Sequence, residues 1–404
     1  MHTLETFGGV SLEALAARFG TPLYVYDLAR LRRDFLRFPH AWRNLRFVAY
    51  SLKANPNRWL LRTLADLGAG ADAVSGGEVV QARQAGIPAE RIVFAGPAKT
   101  PEELDLAART GIFAIHLENE GEAAYLARHW PGAAVGIRVN PALDPGTERR
   151  IATGLPESRF GIPLEQVPDL IRRYRARLRI RGLQVHIGSQ IRRPEPYLQA
   201  LDRVLSLLDH LPEAEYLDLG GGFAVDYQRE EDPWVDEILA ALKPRVEALP
   251  LPVILEPGRS VVARCGLLLS RVLYIKQVGT RTYALLDAGM TDLVRPALYG
   301  VQHRVQKVGH RDEEATHRYT LAGPVCENTD VFAEGVPLPP LNPGDLVVFR
   351  DTGAYGFAMA CNYNLRARPA EVAVDQGRAA LIRPREPVGG FLMGEPERLE
   401  FTDL

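Results

Sequence analysis

The chain has 404 residues, of which 46% are hydrophobic, 24% charged and 8% aromatic; this balance supports a large core and excludes wholesale disorder. Lys plus Arg (48) against Asp plus Glu (50) leave a formal charge of -2, which provides no electrostatic footprint for nucleic acid or an anionic membrane and points to a small-molecule partner. Cys265, Cys326 and Cys361 form no C-x-x-C pair, so neither a disulfide framework nor a cysteine-only zinc cage can be built, no metal is expected, and a reducing cytoplasm fits.

The polar N-terminus MHTLETFGGV lacks the charged-then-apolar order of a signal peptide. No apolar run approaches the ~20 residues of a membrane helix, since Arg271 breaks even GLLLSRVLYIK. A cytoplasmic protein is expected.

In chain order, eight short apolar runs rich in β-branched residues end in polar residues or glycine: LRFVAYSLK, GADAVS, RIVFAG, GIFAIHLEN, AVGIRVN, GLQVHIGS, YLDLGGG and PVILEPGR. They close near Lys53, Ser75, Gly96, Glu118, Asn140, Ser189, Gly222 and Arg259. Stretches such as NRWLLRTLADLG, GEVVQARQAG, TPEELDLAARTG and YLQALDRVLSLLDHL lie between them, with apolar residues at three- and four-residue spacing and several closing glycines. Eight strand-helix alternations predict an α/β fold, a (β/α)8 barrel, which typically takes ~250 residues. The barrel is expected over 29–264.

Beyond Cys265, LLLSRVLYIKQ, RTYALLDAG, HRYTLAGPV, GDLVVFRDTG and AEVAVDQGRAALIRP read as strands punctuated by Gly, Pro, Asn and Asp. They predict a C-terminal β-rich, Greek-key or β-barrel-like domain over 265–404, joined by residues 1–28. The acidic run Glu230 to Asp232 reads as a solvated helix face or loop.

Barrel active sites form at the C-terminal strand ends, so the residues closing the eight runs are the candidates. Lys53 follows a buried-looking strand. It is either an amine made nucleophilic by desolvation or a lysine snorkelling to solvent. Gly220, Gly221 and Gly222 either free backbone N–H groups for an anion or form a tight turn; no G-x-G-x-x-G or G-x-x-x-x-G-K-[ST] pattern occurs, so nucleotide binding is unsupported. Glu256 and Arg259 are either a surface ion pair or an inward carboxylate that keeps a heterocyclic nitrogen protonated beside an arginine that, with the Gly258 amide, takes a phosphate or carboxylate. His186 is either a core histidine or a ring stacked on a flat cofactor, with Ser189 donating to a phosphate.

YSLKAN, GADAVSGGE, VHIGSQI, LDLGGGF, EPGRSVV, DAGMTDLVRPALY, GPVCENTD and DTGAYGFAMACNYN occur in this order. Together they resemble the barrel-type, fold-type III pyridoxal-phosphate-dependent decarboxylases over nearly the whole chain. The resemblance implies pyridoxal 5'-phosphate carried by Lys53, with His186 stacked on the ring, Glu256 at its nitrogen and Asp72 near the ring and lysine. It places Ser189, Gly221, Gly222, Gly258, Arg259 and Tyr355 around the phosphate. Arg259, Arg295, Tyr299, Glu327 and Tyr355 would contact substrate, and Cys326 and Glu327 would reach the cofactor of a partner subunit in a homodimer.

Two forked guanidinium groups suit carboxylates and Glu327 suits an ammonium, so a substrate with two amino-acid ends, meso-2,6-diaminopimelate, is favoured over ornithine, lysine, arginine or carboxynorspermidine. Cys326 is either a general acid for the substrate carbanion or a small buried hydrophobe. A racemase on this barrel would place an arginine where Glu256 stands, and a non-catalytic regulator should have lost some of Lys53, His186, Glu256 and Cys326. Three motifs depart from the family pattern: Asn328-Thr329 where the family commonly has Ser-x after Cys-Glu, Thr147-Glu148 for Thr-His, and Thr291 for Asn before Asp292-Leu293.

Overall fold

The structure, a computed structural model, describes residues 3–148, 151–309 and 313–390. Two compact units emerge, one formed by 28–265 and the other by 1–27 with 266–404.

The first unit contains eight parallel strands: β1 (Leu45–Ser51), β2 (Gly70–Ala73), β3 (Ile92–Phe94), β4 (Ala114–Leu117), β5 (Ala134–Asn140), β6 (Arg179–Val185), β7 (Tyr216–Asp218) and β8 (Val253–Leu255). Each pairs with the next, and β8 pairs with β1, so the sheet closes without a free edge. All eight runs read from the sequence supply these strands.

Helices follow in alternation: α1 (Arg58–Ala65), α2 (Gly76–Gln84), α3 (Pro101–Thr110), α4 (Glu120–His129), α5 (Val167–Tyr174), α6 (Glu195–Leu205), α7 (Pro233–Glu247) and α8 (Arg259–Val262). Local signals start several of them. The side chains of Ser75, Thr100 and Asn119 accept from backbone N–H groups in the first turns of α2, α3 and α4, and Thr100 with Glu103 completes a capping box. Ser75, a strand-end candidate, is therefore a cap.

Inside the barrel, side chains alternate with the pleat. Phe47, Ala49, Val93, Phe113, Ala114, Tyr216 and Ile254 form one apolar cluster, in which the Phe113 ring meets Phe47 and Tyr216 edge-on. On several of these strands the next inward position is polar: Ser51 above Ala49, His116 above Ala114, Asp218 above Tyr216 and Glu256 above Ile254. The apolar plug thus forces polar groups into one layer at the C-terminal ends.

Asp232 corrects one expectation. It is buried, with both oxygens 2.6 Å from Nε and Nη2 of the buried Arg264, whose remaining donors reach the Arg229 and Asp226 carbonyls. A guanidinium fork satisfied on all sides draws the end of the acidic run inward, while Glu230 and Glu231 remain exposed.

The second unit is a ten-stranded mixed sheet. Its long strand Gly266–Val278 pairs with Leu23–Asp27 and Leu346–Phe349 along its first half and with Arg281–Leu286 along its second. His317–Ala322 and Val331–Leu338 extend the sheet on one side, and Val305–Val308 on the other. Leu23–Asp27 also pairs with Ala370–Asp375, which forms a hairpin with Arg378–Arg383. Leu12, Leu15, Leu23, Val25, Leu267, Leu269, Val348, Val372 and Val374 pack as its core. Among the described residues, no helix is long and apolar enough to cross a membrane.

Candidate active site at the barrel mouth

Lys53 lies in a helical turn, Leu52–Ala54, directly after β1. Its Nζ is 3.2 Å from Asp72 Oδ2, which also accepts from Ser51 Oγ at 2.6 Å. The side chain keeps 37% exposure, so the amine faces a carboxylate and the open mouth. The group facing it at the strand end is a buried carboxylate.

Glu256, directly after β8, is buried. Gln184 Nε2 donates to its Oε2 at 2.9 Å, and His116 Nδ1 lies 3.9 Å from its Oε1. Burial, then the neighbouring Asp218 and Asp72 carboxylates, raise its proton affinity well above the usual range. Asp218 is shifted in the same direction, to about 7, chiefly by burial. His116 stays neutral, its pKa pushed down to about 3, chiefly by burial and then by Lys99 and Arg138. Ligating atoms of His116, Asp218 and Glu256 all lie within 4.8 Å of one another.

The sequence reading missed His116, Gln184 and Asp218. Asp72, His116, Gln184 and Glu256 come from the even-numbered strands, as a barrel layer requires, and Asp218 joins from β7. Counting back two residues from the strand-end candidates Glu118 and His186 would have found the first two. Glu118 itself binds Arg138 at 2.5 Å and accepts from the Gly96 and Gly161 amides; burial pushes its carboxyl up, but Arg138 and Gly161 together hold it below the usual range.

His186 follows β6. The Gly221 N–H donates to its Nδ1 at 3.1 Å, so a neutral ring carries its proton on Nε2. Burial, then Lys53 and Arg138, keep this ring uncharged. The glycine run is thus more committed than expected. Gly220 N–H is bound to Asp218 Oδ1 at 2.8 Å and Gly221 N–H to His186, so two of the three amides are occupied. A side chain at Gly221 would place its Cβ against the Glu256 carbonyl, and this close approach is what requires glycine.

Ser189 and Arg259 are brought together. Arg259 Nη2 donates to Ser189 Oγ at 3.2 Å and Nη1 to Tyr227 OH at 2.8 Å. The surface ion-pair reading of Glu256 and Arg259 is excluded, since both are buried and each has other partners. Tyr227 was also missed; it lies in a loop with no strand-end position to mark it.

In the second unit, Arg295 is buried at the start of the helix Arg295–Tyr299, and Tyr299 is exposed. Tyr355 sits in left-handed backbone at φ 56°, uncommon for a bulky residue and a mark of a constrained loop. Cys326 is exposed, which corrects the buried-hydrophobe reading, and its N–H donates to Asn364 Oδ1 at 2.9 Å. Tyr363 OH donates to Glu327 Oε1 at 2.6 Å. Asp330 anchors this turn by accepting from the Val325 and Met290 amides, and Asn328 and Thr329 are exposed. Thr291 is buried, its hydroxyl without a hydrogen-bond partner. Glu148 is exposed, and its carbonyl accepts from Ile151 N–H at 2.9 Å.

Residues 28–263 match the family model described as pyridoxal-dependent decarboxylase, pyridoxal binding domain. A diaminopimelate decarboxylase of Pseudomonas fluorescens is 41% identical over 399 residues, covering 96% of this chain and 95% of that protein. The chain belongs to the diaminopimelate decarboxylase family. Another relative so named, from Aquifex aeolicus, is 38% identical over 390 residues, covering 94% of this chain and 92% of its own. The crystal structure of diaminopimelate decarboxylase from Helicobacter pylori complexed with L-lysine superposes with a TM-score of 0.87 at 34% identity, covering 94% of this chain and 98% of that one.

The mouth fits the cofactor that this family uses. Glu256 Oε1, Asp218 Oδ2 and Asp72 Oδ1 are buried acceptors without a donor among the described residues. A protonated ring nitrogen would satisfy the first of them, Lys53 offers the amine, and Arg259 with Ser189 offers donors for a phosphate.

Proposed function

We propose that the chain decarboxylates meso-2,6-diaminopimelate to L-lysine with pyridoxal 5'-phosphate held at the barrel mouth. The observation that carries this reading is the buried carboxyl of Glu256, whose Oε1 has no donor among the described residues, at the same barrel mouth as the Lys53 amine that meets Asp72. When bound, the cofactor supplies an electron sink for the carbanion left at Cα by loss of CO2.

The protein supplies positions and protons. Glu256 keeps its ring-side oxygen available to a nitrogen-bound proton, because Gln184 occupies the other oxygen. The neutral His186 presents a flat face without adding positive charge that would compete for that proton. Gly222, the Gly258 amide, Ser189, Arg259 and Tyr355 take the phosphate. The Gly221 amide is committed to His186, so its share is close packing against Glu256, whereas the sequence assigned it to the phosphate.

Arg259 and Arg295 take substrate carboxylates, Tyr299 and Tyr355 contribute further substrate contacts, and Glu327 takes the distal ammonium. Tyr363 orients Glu327 for this task by fixing Oε1. Cys326, exposed at a turn, delivers the proton to the substrate carbon. We further propose a cytoplasmic homodimer in which Cys326 and Glu327 serve the partner subunit's mouth. Exposed Leu298, Tyr299, Tyr363 and Leu365 in the second unit give that interface apolar surface.

Release of CO2 from meso-2,6-diaminopimelate, measured beside lysine, ornithine and arginine, tests the assignment. Turnover should be fastest with meso-2,6-diaminopimelate. Preference for ornithine would leave the chemistry standing and overturn the substrate, and conversion of the meso isomer to another stereoisomer, or loss of optical rotation from L-lysine, L-ornithine or L-arginine, without gas would make the enzyme a racemase.

A further inference from the structure

Arg295 is buried in the second unit. The helix Arg295–Tyr299 stops at Gly300, in left-handed backbone at φ 65°, and the chain then turns into the strand Val305–Val308. That strand pairs antiparallel with Leu346–Phe349, Val305 opposite Phe349. The pairing continues past the strand end, where Arg350 N–H donates to the Arg304 carbonyl at 2.9 Å. His303 is buried at this ladder end.

The histidine's two nitrogens have different jobs. Its Nδ1 is 2.8 Å from the Arg350 carbonyl oxygen. A carbonyl only accepts, so Nδ1 carries a hydrogen. In the neutral ring Nε2 is then a lone pair, and it lies 3.4 Å from Arg295 Nη1, which only donates. The backbone ladder thus selects the tautomer, and the tautomer turns an acceptor toward the arginine.

We infer that His303 is a positioning residue: through its Nε2 lone pair it orients Arg295 to receive the carboxylate at the non-reacting end of the substrate. This rests on the proposed role of Arg295 in the decarboxylation. L-lysine, the proposed product, retains that carboxylate, whereas 1,5-diaminopentane has the same carbon chain and both amines without it.

Two substitutions separate the ring's functions. In His303→Asn the amide nitrogen falls near the Nδ1 position and keeps the bond to the Arg350 carbonyl, but the Nε2 acceptor is lost. In His303→Gln the amide oxygen falls near the Nε2 position and keeps an acceptor toward Arg295. Calorimetric titration of the cofactor-loaded proteins with L-lysine and with 1,5-diaminopentane reads the result. We expect His303→Asn to weaken L-lysine binding by roughly tenfold or more, the usual effect of losing one hydrogen bond to a charged group. His303→Gln should stay within about threefold of wild type, and 1,5-diaminopentane should bind all three proteins alike.

Equal weakening by both variants, or equal weakening toward both ligands, overturns the inference, since a general loss of structure would act that way. Arg295→Gln separates the two levels. If it weakens L-lysine binding while His303→Asn does not, His303 has no positioning role and the reading of Arg295 stands. If Arg295→Gln leaves L-lysine binding unchanged, the reading of Arg295 is wrong and the inference falls with it.

Discussion

Lys53 Nζ and Asp72 Oδ2 are 3.2 Å apart at the ends of adjacent strands β1 and β2, and Ser51 Oγ donates to the same carboxylate oxygen. The parallel pairing of Ser51 with Asp72 sets this meeting. An amine held by a carboxylate is preoriented yet still has an open face, because Lys53 remains partly exposed while Asp72 is buried.

If this amine carries the cofactor, Lys53→Ala removes the group that condenses with its aldehyde. Turnover should fall roughly a thousandfold or more. The absorption band at the edge of the visible that depends on the lysine–cofactor bond should vanish. Near-normal activity would refute the assignment.

Glu256→Gln exchanges the ring-facing carboxyl for an amide that cannot hold a proton on a ring nitrogen, while leaving the phosphate donors in place. The expectation is a fall in kcat of about a hundredfold or more with the cofactor still bound. Steady-state kinetics alongside cofactor absorbance separates these effects, and an unchanged kcat would remove Glu256 from the chemistry.

Glu327→Gln keeps a hydrogen-bond acceptor for Tyr363 and removes the charge that faces an ammonium. KM should rise roughly tenfold or more with cofactor binding unaffected. Cys326→Ala tests the proton donor: reaction in heavy water should show a slower or stereochemically scrambled deuterium at the product carbon. Unchanged kinetics and stereochemistry would return Cys326 to a structural role.

Asp292 is buried, accepts from the Gly289 amide at 2.8 Å, and has a pKa raised to about 7, chiefly by burial. The folded state therefore binds this proton more tightly than the unfolded chain, whose aspartate titrates near 3.9. The resulting stability is fully present below about pH 4 and is lost as pH rises toward and through about 7. Asp292→Asn keeps the acceptor and cannot ionise. Relative to that variant, the wild type should lose roughly 2–4 kcal/mol between pH 4 and 8, read as a difference of urea midpoints. Parallel pH profiles would contradict the assignment.

Asp232→Ala would strand the buried Arg264 guanidinium. Loss of one partner from a buried ion pair costs about 3–5 kcal/mol, so thermal unfolding should shift down clearly. A change within experimental error would mean that Arg264 finds other partners.

The eight strand ends and the glycine and Glu-Pro-Gly-Arg turns were legible because they are local. A period-two apolar run ending in a polar residue specifies a strand and its mouth within a few consecutive positions, so Lys53, His186, Glu256 and Arg259 could be read directly. The proposed roles of Tyr355 and Glu327 rest on their motifs alone. The left-handed backbone at Tyr355 leaves no trace in composition.

By itself the sequence determined the strand-helix alternation, the glycines and the chemically capable side chains, since propensity and spacing act between near neighbours. The tertiary structure decided which of these groups meet. Closure of the barrel brings Asp218 and Gln184 to Glu256, 38 and 72 positions away in the chain. The register of a ladder sets His303 against Arg350, and the burial of Arg264 draws Asp232 out of an acidic run that reads as solvated. Partners of this kind are chosen by hydrogen-bond registry and exclusion of water across distant segments, and short-range pattern carries no record of either.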